Sequence, residues 1–425
     1  EWKENENRKP LIIRGARQVG KTWIMKTFGQ QYFEKTAYVN FDNNARMKQV
    51  FEGDLDIERL VLSISAETGV SIEAENTLII FDEVQEVPKA LTSLKYFYEN
   101  APQYAIVAAE SLLGVALHQG TSFPVGKVDF LDLYPLNFRE FLCAMGEKQF
   151  VSMLDSCDTQ MVTVFKTKYI ERLREYYFVG GMPEVVKDFS EKKDYNRVRA
   201  IQKNLINYYQ QDFSKHAEIK LVPRLNLVWN SIPMQLAKEN KKYIYGQVRE
   251  GSRAKDFELA IQWLLDCGLI HKVQRIQKPD LPLKAYIDFD AFKLFLVDIG
   301  LLIAMTDLDA KVIIEGNKIF TEFKGALTEQ YILQQLISDV GVIPYYYSTQ
   351  NSKGEIDFLV QGKTSVIPIE VKAEENLKAK SLKAFCEKYQ PSYAVRTSMS
   401  DYREQDWMTN IPLYAVKWIK NYVNQ

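Results

Sequence analysis

Along the first hundred residues, short apolar runs alternate with amphipathic stretches. The runs are LIIR (11–14), AYVNF (37–41), TLIIFDE (77–83) and YAIVAA (104–109). Between them lie stretches of helical period, TWIMKTFGQQYF, DIERLVLSISAETG and LTSLKYFYENA. Strands without a polar face, separated by helices, predict a parallel sheet covered on both sides. From 145 to 215 the pattern is helical, broken by VGGMP (179–183). The stretch YIYGQVREGSRAKDFELAIQWLLDCGLIHKV (243–273) predicts helix, turn, helix and then a strand pair, the order of a winged helix. Ser252 and Gly268 are suitable caps for its second helix. A long helix over 321–339 and a group of strands follow.

A chain of 425 residues requires more than one domain. A net charge of −1 gives no overall attraction to nucleic acid, so any such contact needs a local basic channel. The four cysteines, Cys143, Cys157, Cys267 and Cys386, form no CxxC pair, which argues against a zinc site or a disulfide framework and for a reducing compartment. His118, His216 and His271 are equally scattered. No apolar run reaches the ~18 residues of a membrane span. The opening EWKENENRKP has no signal-peptide core. A cytoplasmic protein without membrane attachment is the expectation.

The first apolar run leads into Gly15, Ala16, Arg17, Gln18, Val19, Gly20, Lys21 and Thr22, which fit GxxxxGK[ST]. In such a loop backbone N–H groups turn inward around the β-phosphate, the lysine neutralises β/γ charge, and the threonine hydroxyl serves Mg²⁺. The positive end of the following helix faces the phosphates. In TLIIFDEVQ, four apolar residues deliver Asp82 and Glu83 to a strand end. Asp82 suits the Mg²⁺ shell and Glu83 the attacking water, although an acidic pair after a strand also serves as a helix N-cap. Together the two motifs predict binding of ATP or ADP with Mg²⁺.

The blocks LIIRGARQVGKT, LIIFDEVQ, YPLNFREF, GGMPEVV, GEIDFLV and IEVKA follow in order over essentially the whole chain. In this the sequence resembles uncharacterised prokaryotic AAA-type (AAA+ superfamily) ATP-binding proteins with a C-terminal domain of unknown function. The resemblance implies that Ser111, ending AIVAAES, contacts the γ-phosphate or the attacking water. It also exposes a departure, since the family usually has Gly where Glu110 stands. A carboxylate turned toward the γ-phosphate would oppose hydrolysis, whereas one turned outward would be neutral. Arg139, Arg172 and Arg174 are candidates for an arginine finger.

The hairpin EIDFLVQGKTSVIPIEVKA (355–373) carries charges inside its strands. With Gly362–Lys363 as a two-residue turn, Asp357 faces Pro368 and Glu355 faces Glu370. Asp357, Pro368, Glu370 and Lys372 then share one face, opposite Ile356, Phe358, Val360, Ile367, Ile369 and Val371. Glu329 lies on the apolar side of the preceding helix with Ile332 and Leu333. A helix acid, a strand Asp and Glu-x-Lys on the next strand resemble the PD-(D/E)xK nucleases. On that reading Glu329, Asp357 and Glu370 hold Mg²⁺ or Mn²⁺, and Lys372 orients water or stabilises phosphorane charge. The bland alternative is a solvated sheet face with a Glu370–Lys372 surface pair. Arg249, Arg253 and Lys255 could touch DNA phosphates or simply solvate a helix start.

The expected fold class is α/β: a phosphate-loop NTPase core (1–144), a helical lid (145–215), a winged-helix-like domain (216–311) and a restriction-endonuclease-like domain (312–425). The expected function is an Mg²⁺-dependent ATPase whose nucleotide state controls a nuclease-like, DNA-binding domain. The alternative is a nucleotide-switched protein-binding or signalling module with an inactive nuclease fold.

Overall fold

Five strands build the N-terminal sheet: β1 (Leu11–Gly15), β2 (Lys35–Asn40), β3 (Thr77–Asp82), β4 (Ala105–Ser111) and β5 (Asp129–Asp132). In this computed structural model, which describes residues 1–111, 124–238, 241–315, 321–349, 354–373 and 379–425, the strands run in the order β2-β3-β4-β1-β5. Every pairing is parallel. Ile12, Phe81, Ile106 and Ala108 pack on one side with the helices Ile57–Thr68 and Pro88–Asn100. Ile13, Leu78, Ile80 and Val107 pack on the other with Met25 of the helix Lys21–Tyr32. Burial on both faces explains why these strands read as continuous apolar runs.

The chain divides into two compact units, Glu1–Tyr134 with Asp266–Leu269, and Pro135–Leu265 with Ile270–Gln425. Within the larger unit, strand pairing joins segments from either side of 312. The pair β6 (Ile270–Ile276) and β7 (Ile287–Leu296), expected as a separate wing, joins β8 (Tyr345–Ser348) through a parallel β6–β8 pairing. With β9 (Glu355–Gln361), β10 (Val366–Val371), β11 (Val395–Ser398), β12 (Arg403–Gln405) and β13 (Met408–Pro412) it forms one eight-stranded sheet. Its order is β12-β13-β11-β10-β9-β8-β6-β7. Pairing satisfies strand edges that an isolated wing would leave open. The two expected helices precede β6, as Tyr245–Val248 and Ala254–Asp266, and Arg249, Arg253 and Lys255 are exposed around the second helix's start.

The hairpin register is two residues away from the expected one. Gln361 pairs with Val366 and Leu359 with Pro368, so the loop spans 362–365 rather than two residues. A shift of two preserves the faces, because side chains alternate with a period of two. Asp357 still shares its side with Pro368 and Glu370, but Glu370 now lies across from Asp357 rather than from Glu355. The helix Thr321–Gln335 buries Leu327, Ile332 and Leu333, as its periodicity predicts. Its Gln330 amide closes the end of β7, accepting from Leu296 N–H at 2.9 Å and donating to Leu296 C=O at 2.7 Å. The VGGMP break is set by close packing. Gly181 N–H donates to Asp298 at 2.6 Å and Gly181 C=O accepts from Leu136 N–H at 2.7 Å, where an added Cβ would collide with the Leu136 carbonyl. Among the described residues no helix is long and apolar enough to cross a membrane.

Candidate functional site

The phosphate-loop motif occupies the turn from β1 into the helix Lys21–Tyr32. Gly15 ends the strand, and Gly20 caps the helix at φ +94°, a conformation that favours a residue without Cβ. Gln18 is also left-handed, at φ +68°. Ala16 and Val19 are buried, Arg17 is half-buried and Gln18 is exposed. Lys21 turns back over the loop, its ammonium donating to Gly15 C=O at 3.0 Å and Ala16 C=O at 2.8 Å. Burial lowers its pKa to about 8, against the opposing pull of Glu83 and Asp82.

The second motif meets the first across 60 residues. Thr22 Oγ1 donates to Asp82 Oδ2 at 2.7 Å, and the Tyr38 hydroxyl donates to the same oxygen at 2.8 Å. Burial, reinforced by the bond to Asp82, pushes the Tyr38 pKa up and keeps the hydroxyl a donor. Glu83 takes a left-handed conformation, φ +52°, and starts the short turn Val84–Glu86 rather than a regular helix. Buried Gln85 links this turn to β4: its Nε2 donates to Glu83 at 2.5 Å, and its Oε1 accepts from Ser111 N–H at 3.4 Å. Ser111 Oγ is buried without a hydrogen-bond partner among the described residues. Sequence reading did not select Tyr38 or Gln85. For Gln85 the signal was present, a polar residue three positions past the strand-end Asp82.

Strand alternation separates Glu110 from Ser111. Ser111 continues the side of Val107 and Ala109, where the helix Lys21–Tyr32 packs, whereas Glu110 continues that of Ile106 and Ala108. Glu110 pairs in register with Arg14 and is almost fully buried. Burial raises its carboxyl to about 7, moderated by Arg14. This arrangement favours the orientation away from the loop's helix.

The three arginine-finger candidates have carboxylate or carbonyl partners within the larger unit. Arg139 pairs with Asp155 at 2.6 Å and Asp339 at 3.0 Å, Arg172 with Glu147 and Glu175 at 2.7 Å each, and Arg174 donates to Ile314 C=O at 3.3 Å.

The residues of the C-terminal constellation take different partners. Lys372 Nζ lies 2.6 Å from Glu370 Oε1, and Glu370 Oε2 accepts from Leu382 N–H at 3.1 Å, at the start of the helix Lys380–Tyr389. Asp357 instead accepts from Val371 N–H at 2.7 Å and faces a different group of charges. Its carboxyl is raised to about 7 by burial and by nearby Glu329, with Lys293 and Lys241 opposing. Glu329 pairs with Lys241 and Lys293, and Lys293 also pairs with Glu355 at 2.5 Å. Among the described residues no three His, Cys, Asp or Glu side chains are gathered to hold a metal ion. Of the expected set Glu329, Asp357 and Glu370 for Mg²⁺ or Mn²⁺, Glu370 pairs with Lys372, Glu329 pairs with Lys241 and Lys293, and Asp357 accepts from Val371 N–H. Lys293 is flagged in the sequence as the lone charge in AFKLFL, whereas nothing in the sequence marks Lys241.

Comparison with known proteins fits this division. Residues 7–142 match the AAA domain family, residues 170–312 match a domain of unknown function (DUF8612), and residues 324–416 match another (DUF4143). No curated protein matches the chain. Among solved structures, a Walker-type ATPase of Pyrococcus abyssi is similar at 13% identity and a TM-score of 0.42, covering 70% of this chain and 91% of its own. That likeness is too slight to bear on the fold. The N-terminal region, with its parallel sheet and phosphate-loop motif, is similar to the AAA domain family, and the regions after it resemble families of unknown function.

Proposed function

We propose that the chain is an Mg²⁺-dependent ATPase whose nucleotide state governs partner engagement by residues 135–425. The observation that carries the reading is the 2.7 Å bond from Thr22 to Asp82, which joins two sequence-distant motifs at one edge of the sheet. The residues suit a nucleotide–metal complex: Thr22 and Asp82 offer hard oxygen ligands for Mg²⁺, and Lys21 offers a buried cation for the phosphates. Mg²⁺, when bound, supplies neutralisation of phosphate charge. Lys21 exchanges its two loop carbonyls for phosphate oxygens. Glu83 accepts a hydrogen bond from the attacking water and orients it, while Ser111 serves the γ-phosphate side.

For the larger unit, a nuclease-like DNA-binding role and a protein-binding role share the same architecture. The different engagements of these acids, Glu370 with Lys372 and Leu382 N–H and Asp357 with Val371 N–H, support the second, in which the domain docks a partner without cleaving it. Phosphate release should require Mg²⁺ and disappear in Asp82→Asn. Turnover unchanged in that variant would remove the ATPase reading. Metal-dependent cleavage of mixed DNA substrates, lost in Glu370→Gln, would restore the nuclease reading.

A further inference from the structure

Lys293 is fully buried in β7, between the apolar neighbours Phe292 and Leu294. Its ammonium lies 2.5 Å from Glu355 Oε1 and 3.6 Å from Glu329 Oε2. It also sits 4.9 Å from the centre of the Tyr346 ring. Burial by itself would lower the Lys293 pKa, but Glu329, Glu355 and Asp357 together raise it above the ordinary value. Lys241 makes a second ion pair to Glu329. Two cations therefore pair with two carboxylates, Glu329 of the helix Thr321–Gln335 and Glu355 of β9, and act through their charge on a third, Asp357 of β9.

We infer that Lys293, assisted by Lys241, is the resident counter-ion of the Glu329–Glu355–Asp357 cluster and takes the place a divalent metal would otherwise fill. Carboxylate oxygens engaged by an ammonium are not free to ligate a metal. A divalent ion entering beside a buried lysine would meet like charge in a medium that screens it poorly. Removing one member of a buried ion cluster leaves its partner uncompensated. Without Lys293 the three acids would face only Lys241, and protonation or an external cation must make up the balance. The inference stands apart from the ATPase reading, because none of these residues belongs to the phosphate-loop site.

The test is Mn²⁺ titration of the full chain without nucleotide, followed by electron paramagnetic resonance. An Asp82→Asn background removes the phosphate-loop metal ligand. We expect no stoichiometric Mn²⁺ in that chain, and one bound Mn²⁺ once Lys293→Met is added, lost again with Asp357→Asn. One Mn²⁺ bound with Lys293 intact and lost in Asp357→Asn overturns the inference. If Lys293→Met does not fold, Lys293→Arg, which keeps the charge, should fold and bind no Mn²⁺; an Arg variant equally unable to fold counts against a counter-ion role. If Lys293→Met folds and binds no Mn²⁺, Lys293 does not hold the place of a metal and the inference also fails.

Discussion

The phosphate loop and the buried acidic cluster are both polar groupings placed on apolar sheets, yet they are assembled in opposite ways. The loop takes its eight residues from one turn, Gly15–Thr22, and much of its shape is backbone: a strand end, a left-handed glycine and a helix start. The cluster takes Lys241, Lys293, Glu329, Glu355 and Asp357 from several elements spread over more than a hundred residues of sequence. A locally built site can lose a side chain and keep its fold. A cluster built across elements is itself part of what holds those elements, so a change there reaches stability first.

The largest effect expected from this contrast is on stability. Lys293→Met should destabilise the larger unit by about 3–5 kcal/mol, the usual cost of stranding buried charge, while ATP affinity stays unchanged. Chemical denaturation alongside nucleotide calorimetry checks both halves. An equal loss of ATP affinity would dissolve the distinction between the two regions.

Glu83→Gln should show the converse. Loss of the water-orienting carboxylate should lower turnover about 10²–10³-fold, with the unfolding midpoint and ATP affinity preserved. Single-turnover kinetics with a parallel melt separates chemistry from folding.

Lys21→Ala should weaken ATP by about 2–3 kcal/mol, the scale of hydrogen bonds to charged groups. Calorimetry showing wild-type affinity would exclude the loop as the nucleotide site.

Glu110 tests the border between the two kinds of region, being buried polar chemistry at the edge of the local site. Burial lifts its carboxyl from 4.5 to about 7. The folded chain therefore retains a proton that the unfolded chain releases across that window. The stabilisation is complete below pH 4.5 and is lost as pH rises through 7. Glu110→Gln should flatten that fall, improving stability near pH 8 by about 1–2 kcal/mol. Because Glu110 lies on the side away from the loop's helix, ATP turnover at saturating nucleotide should change little. A large rise in turnover would mean that the carboxylate reaches the phosphates after all.

How much of this was legible in the sequence depended on range. The four early strands lie close to their apolar runs, since burial on both faces leaves no polar alternation to interpret. The side-by-side placement of Asp357 and Glu370 on one hairpin face also agrees, despite a two-residue error in register, because faces repeat every second residue. What the face could not reveal was where each carboxylate would turn. Glu370 meets the N–H of Leu382, while Asp357 meets that of Val371 and the field of Glu329. Leu382 and Glu329 come from other elements, and no spacing within 355–373 encodes them.

The sequence by itself determined the phosphate loop, the strand–helix alternation and the hydrophobic faces, because these rest on neighbouring dihedrals and on periodicity. Only the tertiary structure decided that β4 lies between β1 and β3, that the β6–β7 pair extends an eight-stranded sheet, and that Lys293 sits among three acids. Strand order and buried charge pairing depend on which distant surfaces exclude water together. That choice belongs to the whole chain's packing and leaves no mark on any one segment.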